Sequence, residues 1–109
     1  MREFSVDLSK HEGITGKLIL TIPTYRQRLK IIKECNFKIN EQGDVNVGTE
    51  TLESMVKLID LAEPHFKKID LKFGEIHVKN FEQMESYTEF DTLITEAATA
   101  VLNAGKLGK

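Results

Sequence analysis

The segment from Thr88 to Leu102 constrains the fold of this chain more than any other stretch of the sequence. In this segment apolar residues recur every three or four positions, the spacing that places side chains along one side of an α-helix. They are Phe90, Leu93, Ile94, Ala97, Ala98, Val101 and Leu102. A stripe this wide must be covered by the rest of the chain or by a partner, and its alanines allow a neighbouring backbone to approach closely. We therefore predict a long C-terminal helix, ended by Gly105, at the centre of the core.

The totals of the sequence are those of one ordinary globular domain. Of its 109 residues, 40% are apolar and 29% are charged, which suits one hydrophobic core and excludes wholesale disorder. A single cysteine, Cys35, cannot form an internal disulfide. Charged residues occupy the N-terminus where a signal peptide needs an apolar run, and no apolar stretch approaches membrane-spanning length. We predict one domain over residues 1–109 that lies in the cytoplasm and has no membrane partner.

Two β-hairpins are predicted, one near the N-terminus and one in the second half of the chain. Alternating apolar residues indicate strands around Phe4–Leu8 and Lys17–Ile22, joined by a loop over residues 10–16. The same alternation recurs at Lys68–Lys79 and is interrupted near Gly74, which supplies the turn of a second, shorter hairpin.

Two amphipathic helices are predicted between the hairpins. The capping box formed by Thr24 and Gln27 starts the first helix, which ends near Asn36. Its shared apolar face consists of Tyr25, Leu29, Ile32 and Cys35. The second helix, Leu52–Ala62, is ended by Pro64, which cannot continue a helix.

The remaining signals complete a helix-rich α+β fold. Polar and apolar residues are mixed from Phe37 to Gly48, with a loop around Gln42–Asp44. Asn80 and Gln83 repeat the capping-box spacing and start a brief helix before the C-terminal one. The predicted architecture is an N-terminal β-hairpin, two central amphipathic helices, a short second hairpin and a long C-terminal helix.

The helix from Leu52 to Ala62 carries more apolar surface than one core-facing stripe requires. Its helically spaced apolar residues are Leu52, Met55, Val56, Ile59 and Ala62, and the face is widened by Leu58 and Leu61. A helix that is apolar on more than one side contacts more than one neighbour, within the fold or outside it. Since methionine adapts to irregular surfaces, the predicted partner-binding set consists of Leu58, Leu61, Met55 and Met84.

The sequence contains no recognisable constellation for catalysis or for binding a metal or cofactor. The histidines, His11, His65 and His77, are too few for a four-ligand zinc site and are interpreted as surface residues, although His65 and His77 could approach each other. Cys35 lies on the apolar side of its helix without a paired base, as a core residue does. Phosphate-loop, dinucleotide, calcium-loop and catalytic-triad patterns are absent. We predict a protein that is not an enzyme and uses no cofactor or metal.

Charge is distributed unevenly, although the net charge is only -2. Residues 80–96 contain five acidic and no basic residues, whereas the helix at residues 25–34 contains the bases Arg26, Arg28, Lys30 and Lys33. Such segregation pairs two helices within a fold, lies in solvent or faces a charged partner. Because no aromatic stacking set accompanies the bases, a nucleic-acid-binding or regulatory module using residues 25–34 is only the alternative reading.

The order of these elements has a counterpart in a known family. The stretch "TIPTYRQRLKIIKE" provides a strand end and a basic helix, and "KKIDLKFGEIHVKNFEQMESYTEFDTLITEAATAVLNAGKLGK" provides a hairpin, a short helix and a final helix with a Gly-Lys tail. In this order the chain resembles the small tail assembly chaperones of long-tailed bacteriophages and prophages. The second half of the chain carries the resemblance.

The resemblance implies a non-enzymatic function in virion assembly. Chaperones of this family bind the long, mostly helical tape measure protein before the tail tube forms, and many have an extended form that recruits the tail tube protein. The implied partners are therefore tape measure protein and tail tube protein, in the cytoplasm of the host cell. Self-association is a second use of the same apolar surface, and a structural tail subunit is a further alternative function.

Overall fold

The computed structural model describes residues 2–39, 45–46 and 51–107, with the side chains of residues 2–37 and 51–103. The strands are β1 (Glu3–Ser5), β2 (Ile14–Thr21), β3 (Lys38–Ile39), β4 (Val45–Asn46), β5 (Phe66–Phe73) and β6 (Ile76–Val78). The helices are α1 (Tyr25–Cys35), α2 (Leu52–Ala62), α3 (Phe81–Glu85) and α4 (Asp91–Leu107), with 3-10 turns at Glu63–His65 and Thr88–Phe90. The predicted α+β fold class is confirmed. The loop predicted at Gln42–Asp44 lies outside the described residues.

The two predicted hairpins join into one antiparallel sheet with the strand order β1-β2-β5-β6. The join is the pairing of β2 with β5, in which Leu18 lies opposite Ile69. Opposed residues of an antiparallel pair project to the same face, and Leu18, Ile69, Leu71 and Val78 are all buried. The sheet thus has one apolar face, and the intervening residues project to the other face.

Strand β2 begins at Ile14, three residues before the predicted start at Lys17, so that Gly16 lies within the strand. Gly16 has a φ of +117°, a backbone conformation that side-chain-bearing residues rarely adopt. A Cβ atom at this position would lie 2.0 Å from the backbone oxygen of Asp70 on β5. Glycine is therefore required at position 16, where β2 approaches β5. The prediction that Gly16 belongs to the loop before β2 was wrong.

The predicted C-terminal helix lies at the centre of the core. Helix α4 contacts β2, α1 and α2, and α1 also packs against α2. Its buried residues are Leu93, Ile94, Ala97, Ala98, Val101 and Leu102, preceded by buried Phe90 in the 3-10 turn. The helix passes through Gly105 and ends at Leu107, so the predicted end at Gly105 was wrong. A glycine inside a helix costs about 1 kcal/mol, which weakens a helix without stopping it.

Local capping signals set the starts of α1 and α3 as predicted. The hydroxyl of Thr24 accepts from the backbone N–H of Gln27, and the side chain of Gln27 accepts from the backbone N–H of Thr24. Asn80 accepts from the backbone N–H of Gln83 at the start of α3, whereas the side chain of Gln83 accepts from the backbone N–H of Lys79 rather than from that of Asn80. Helix α1 ends at Cys35 and is capped by Asn36, whose left-handed backbone (φ +58°) closes the last turn.

Candidate functional site

The four residues predicted to bind a partner do not form one surface. Leu58 and Met84 are completely buried, whereas Met55 and Leu61 are partly buried. Leu58 lies one helical turn from Ala62, and both face the interior. Leu58 and Met84 are therefore core residues in this structure, and the prediction that they offer surface to a partner is corrected.

The excess apolar surface of α2 lies on a different flank of the helix. Leu52 is 85% exposed and Val56 is 60% exposed, while Met55 and Ile59 are partly buried against the core. These four positions follow the i, i+3, i+4, i+7 spacing, so their side chains form one continuous stripe. We call this stripe the α2 edge. Sequence analysis included Leu52 and Val56 among the helically spaced apolar residues of this helix without assigning them to a partner, although the same spacing could have identified them as the edge.

Helix α1 covers the opposite flank of α2, and the two helices are antiparallel. The start of α1 and the end of α2 share a cleft of about 140 Å³, lined by Gln27, Lys30, Ile31, Leu61 and His65. The end of α1 and the start of α2 share a cleft of about 280 Å³, lined by Glu34, Cys35, Asn36, Thr51, Glu53, Ser54 and Lys57. Both clefts are smaller than the roughly 300–1,000 Å³ pockets that hold drug-sized ligands. The α2 edge is on the flank that α1 leaves uncovered.

Helix α1 also exposes apolar side chains that the sequence had placed in the core. Tyr25 is 72% exposed and Leu29 is 39% exposed, whereas Ile32 and Cys35 of the same predicted face are buried, as is Ile31. Tyr25 and Leu29 lie one turn apart, on the flank of α1 opposite the residues that line the clefts shared with α2. The pair of helices thus presents exposed apolar groups at both of its outer edges.

The three histidines have separate structural roles. His11 Nε2 donates a hydrogen bond to Glu96 Oε2 at 3.0 Å, His65 Nδ1 and Thr21 Oγ1 are joined at 3.0 Å, and His77 Nε2 donates to Asp70 Oδ1 at 2.6 Å. These contacts are local to three different parts of the fold. His11 and His65 are buried, which corrects their interpretation as surface residues.

The suggested approach of His65 to His77 does not occur. His65 precedes β5, whereas His77 lies opposite Lys72 near the other end of that strand. At a rise of about 3.3 Å per residue, the two histidines are roughly 20 Å apart along β5. Among the residues that the structure describes, no group of three or more histidine, cysteine or acidic side chains could hold a metal ion.

The pKa values of His65, Cys35 and Asp70 are shifted, each chiefly by burial or by a hydrogen bond. Burial lowers the pKa of His65 and raises the pKa of Cys35. The hydrogen bond from His77 lowers the pKa of the Asp70 carboxyl group. A raised pKa keeps the Cys35 thiol protonated, as suits a small core residue rather than a nucleophile.

The basic residues of α1 form an exposed ridge of three side chains, with one half-buried arginine on another side of the helix. Arg26, Lys30 and Lys33 are exposed at i, i+4 and i+7, whereas Arg28 is half-buried on another side of the helix. The ridge is therefore shorter than the predicted set of four. Nothing aromatic lies within the ridge itself.

Comparison with known proteins identifies no matching family model, no similar curated protein and no similar solved structure. In the described part of the chain, no helix is both long and apolar enough to cross a membrane.

Proposed function

We propose that this protein is a non-enzymatic tail assembly chaperone of a long-tailed phage or prophage. In this proposal it binds the tape measure protein through the α2 edge before the tail tube assembles around that protein. Its place of action is the cytoplasm of the host cell. The proposal combines the sequence resemblance with an exposed apolar surface whose shape suits a helical client.

The observation that supports this function best is the exposure of Leu52 and Val56. Large aliphatic side chains are usually covered in a folded domain, and two of them one turn apart are exposed here beside partly buried Met55 and Ile59. Because Met55 and Ile59 also contact the core, the α2 edge is held in place by the fold. A partner can therefore bind a preformed apolar stripe.

A helical client fits this stripe for geometric reasons. Side chains at i, i+3, i+4 and i+7 on α2 form ridges that pack into the grooves of a second helix. Met55 lies in the middle of the α2 edge, where its flexible side chain can adjust to different client sequences. A long amphipathic client such as the tape measure protein offers many segments of this kind.

Co-expression with the tape measure protein of the same phage or prophage tests the proposal. We expect the client to become soluble and to co-purify with this protein. The variants Leu52→Glu and Val56→Glu should lose this effect, because burial of the two side chains contributes about 3 kcal/mol, or roughly 100-fold in affinity.

Matched variants distinguish the α2 edge from other exposed positions. Glu53→Ala and Asp60→Ala change exposed polar residues of the same helix and should leave co-purification intact. Leu29→Glu places the same charge on the outer edge of α1 and should also leave it intact. Equal co-purification by Leu52→Glu and the unmodified protein would refute the assignment of the α2 edge, and an insoluble client with the unmodified protein would refute the function.

A further inference from the structure

The face of the sheet that points away from the helices is open to solvent. Thr15, Lys17 and Lys72 are exposed on this face, alternating with the buried residues of β2 and β5. An antiparallel sheet commonly has one face on the core and one in water. The residues that alternate with the core residues of β2 and β5 therefore form a solvent-exposed outer face.

This outer face is strongly basic. It carries the exposed residues Lys17, Lys68, Lys72 and, just after β6, Lys79, which we call the basic sheet face. Asp70 is the acid among them and accepts the hydrogen bond from His77. Four lysines and one aspartate leave a local charge of +3 with His77 neutral, in a chain whose net charge is -2.

A surface of opposite charge lies on α3 and the start of α4. Its exposed acids are Glu82, Glu85, Glu89 and Asp91, which we call the acidic helix face. The exposed side of α4 continues with threonines, two of which donate their hydroxyls to backbone carbonyls of their own helix. No basic residue occurs between Asn80 and Glu96, so nothing on this segment neutralises the acids.

The two charged faces do not neutralise each other within one molecule. Ion pairs between described side chains join His11 with Glu96, Lys67 with Glu3 and His77 with Asp70. None of them joins the basic sheet face to the acidic helix face. Each face therefore keeps its charge available for a partner of opposite sign.

We propose that the basic sheet face of one copy binds the acidic helix face of a second copy. Charge complementarity between the two faces supports a second copy as the partner, because every copy of the protein carries both faces on its surface. The contact joins two different surfaces, so it is head-to-tail and can add further copies in an open chain. The association requires only this protein and does not depend on the proposed chaperone function.

The described residues favour a protein partner over nucleic acid at this face. Binding of single-stranded nucleic acid combines basic residues with aromatic side chains on which bases stack. Phe66 and Phe73 of β5 lie opposite Leu20 and Ile14, on the apolar face of the sheet, and are not available on the basic face. Lysines without stacking groups suit an acidic protein surface.

Sedimentation velocity of the purified full chain over a range of concentrations tests this inference. We expect association at about 0.01 M salt, where charges interact over about 30 Å, and monomers at about 1 M salt, where the range falls to about 3 Å. A protein that remains monomeric at low salt at every concentration would overturn the proposal.

Charge-swap variants test which faces meet. Lys68→Glu with Lys72→Glu changes the charge of the basic sheet face from +3 to -1, and Glu82→Lys with Glu85→Lys changes the charge of the acidic helix face from -4 to 0. Each double variant alone should self-associate at least about tenfold more weakly, because the first variant has two acidic faces that repel each other and the second has lost the negative charge that attracts the basic sheet face. An equimolar mixture of the two double variants should associate again, because the first variant keeps the acidic helix face and the second keeps the basic sheet face.

Two control variants separate the location of charge from its total. Lys30→Glu with Lys33→Glu on α1, and Glu53→Lys with Asp60→Lys on α2, change the net charge by the same amounts at other exposed positions. Both should retain association, and circular dichroism should show that all variants are folded. Loss of association in the controls, or no recovery in the mixture, would overturn the proposal. The proposal would also be overturned if the protein bound a single-stranded DNA oligonucleotide through the basic sheet face and did not self-associate.

Discussion

His11 Nε2 lies 3.0 Å from Glu96 Oε2 and ties the loop between β1 and β2 to the middle of α4. The two residues are 85 positions apart in the chain. The imidazole is buried, whereas the side chain of Glu96 is 43% exposed. The contact fixes the start of β2, because the backbone N–H of Ile14 donates to the carbonyl of His11.

Removal of His11 should destabilise the protein. We expect His11→Ala to lower the free energy of unfolding by about 1–3 kcal/mol, because it removes the hydrogen bond and part of the buried packing. Glu96→Gln should cost less, since an amide oxygen can still accept from the ring N–H. Urea denaturation followed by circular dichroism measures both changes. An equal loss in the two variants would show that the carboxylate charge, rather than the packing of the ring, dominates.

Gly16 should tolerate substitution much less well than Gly74. Gly16→Ala places a Cβ atom 2.0 Å from the Asp70 backbone oxygen and keeps an unfavourable φ of +117°. We expect a loss of about 3 kcal/mol or more. Gly74 has a φ of +59° and no neighbouring atom within 4 Å of the added Cβ, so Gly74→Ala should cost only about 1 kcal/mol. Thermal unfolding of both variants compares them, and similar losses would argue against the close approach of β2 to β5.

Buried His65 should make stability fall on mild acidification. Burial lowers the pKa of His65 below its usual value of 6.5, so the unfolded chain binds a proton at a pH where the folded chain does not. This contribution to stability is therefore present above pH 6.5 and is lost as the pH falls below it. His65→Gln removes the titrating group and should flatten the pH dependence of stability in this range.

His77→Gln is the matched control for His65, because His77 is exposed. Measurements of urea unfolding between about pH 7.5 and pH 5 avoid the titration of Asp70, whose lowered pKa removes stability only below its usual value of 3.8. If His65→Gln and the unmodified protein lose stability in parallel, His65 does not govern this pH range.

Charged substitutions on α2 should separate its buried side from its exposed edge. Leu58 is completely buried, so Leu58→Asp should unfold the domain by placing an unpaired charge in the core. Leu93→Asp in α4 should do the same for the same reason. Leu52 is 85% exposed, and Leu52→Asp should change the free energy of unfolding by no more than about 0.5 kcal/mol. Circular dichroism and size-exclusion chromatography distinguish these results, and a folded Leu58→Asp variant would contradict the burial of this position.

Features that depend on a few neighbouring residues were predictable from the sequence. The Thr24–Gln27 capping box forms with both of its hydrogen bonds, and Asn80 caps α3, because the donor and acceptor lie within one helical turn. The stripe of α4 was identified for the same reason, since helical periodicity repeats over short distances. These local signals determined the α+β class and the order of the elements.

The candidate site was predictable only in part. The sequence showed that α2 has more apolar surface than one stripe needs, yet the predicted partner-binding set contained the buried Leu58 and not the exposed Leu52 or Val56. The apolar arc of α2 extends far enough around the helix that either flank could be buried. The positions of α1 and α4 decide which flank is covered, and helical periodicity contains no information about those positions.

The helices, the two hairpins and the excess of apolar surface on α2 follow from patterns within the amino-acid sequence. The pairing of β2 with β5, the contact of His11 with Glu96 and the exposure of Leu52 and Val56 became apparent only in the folded structure. The physical reason is the range of the interactions. Caps and periodic stripes act between residues a few positions apart, whereas sheet pairing and burial depend on segments that are distant in the chain and meet only when it folds.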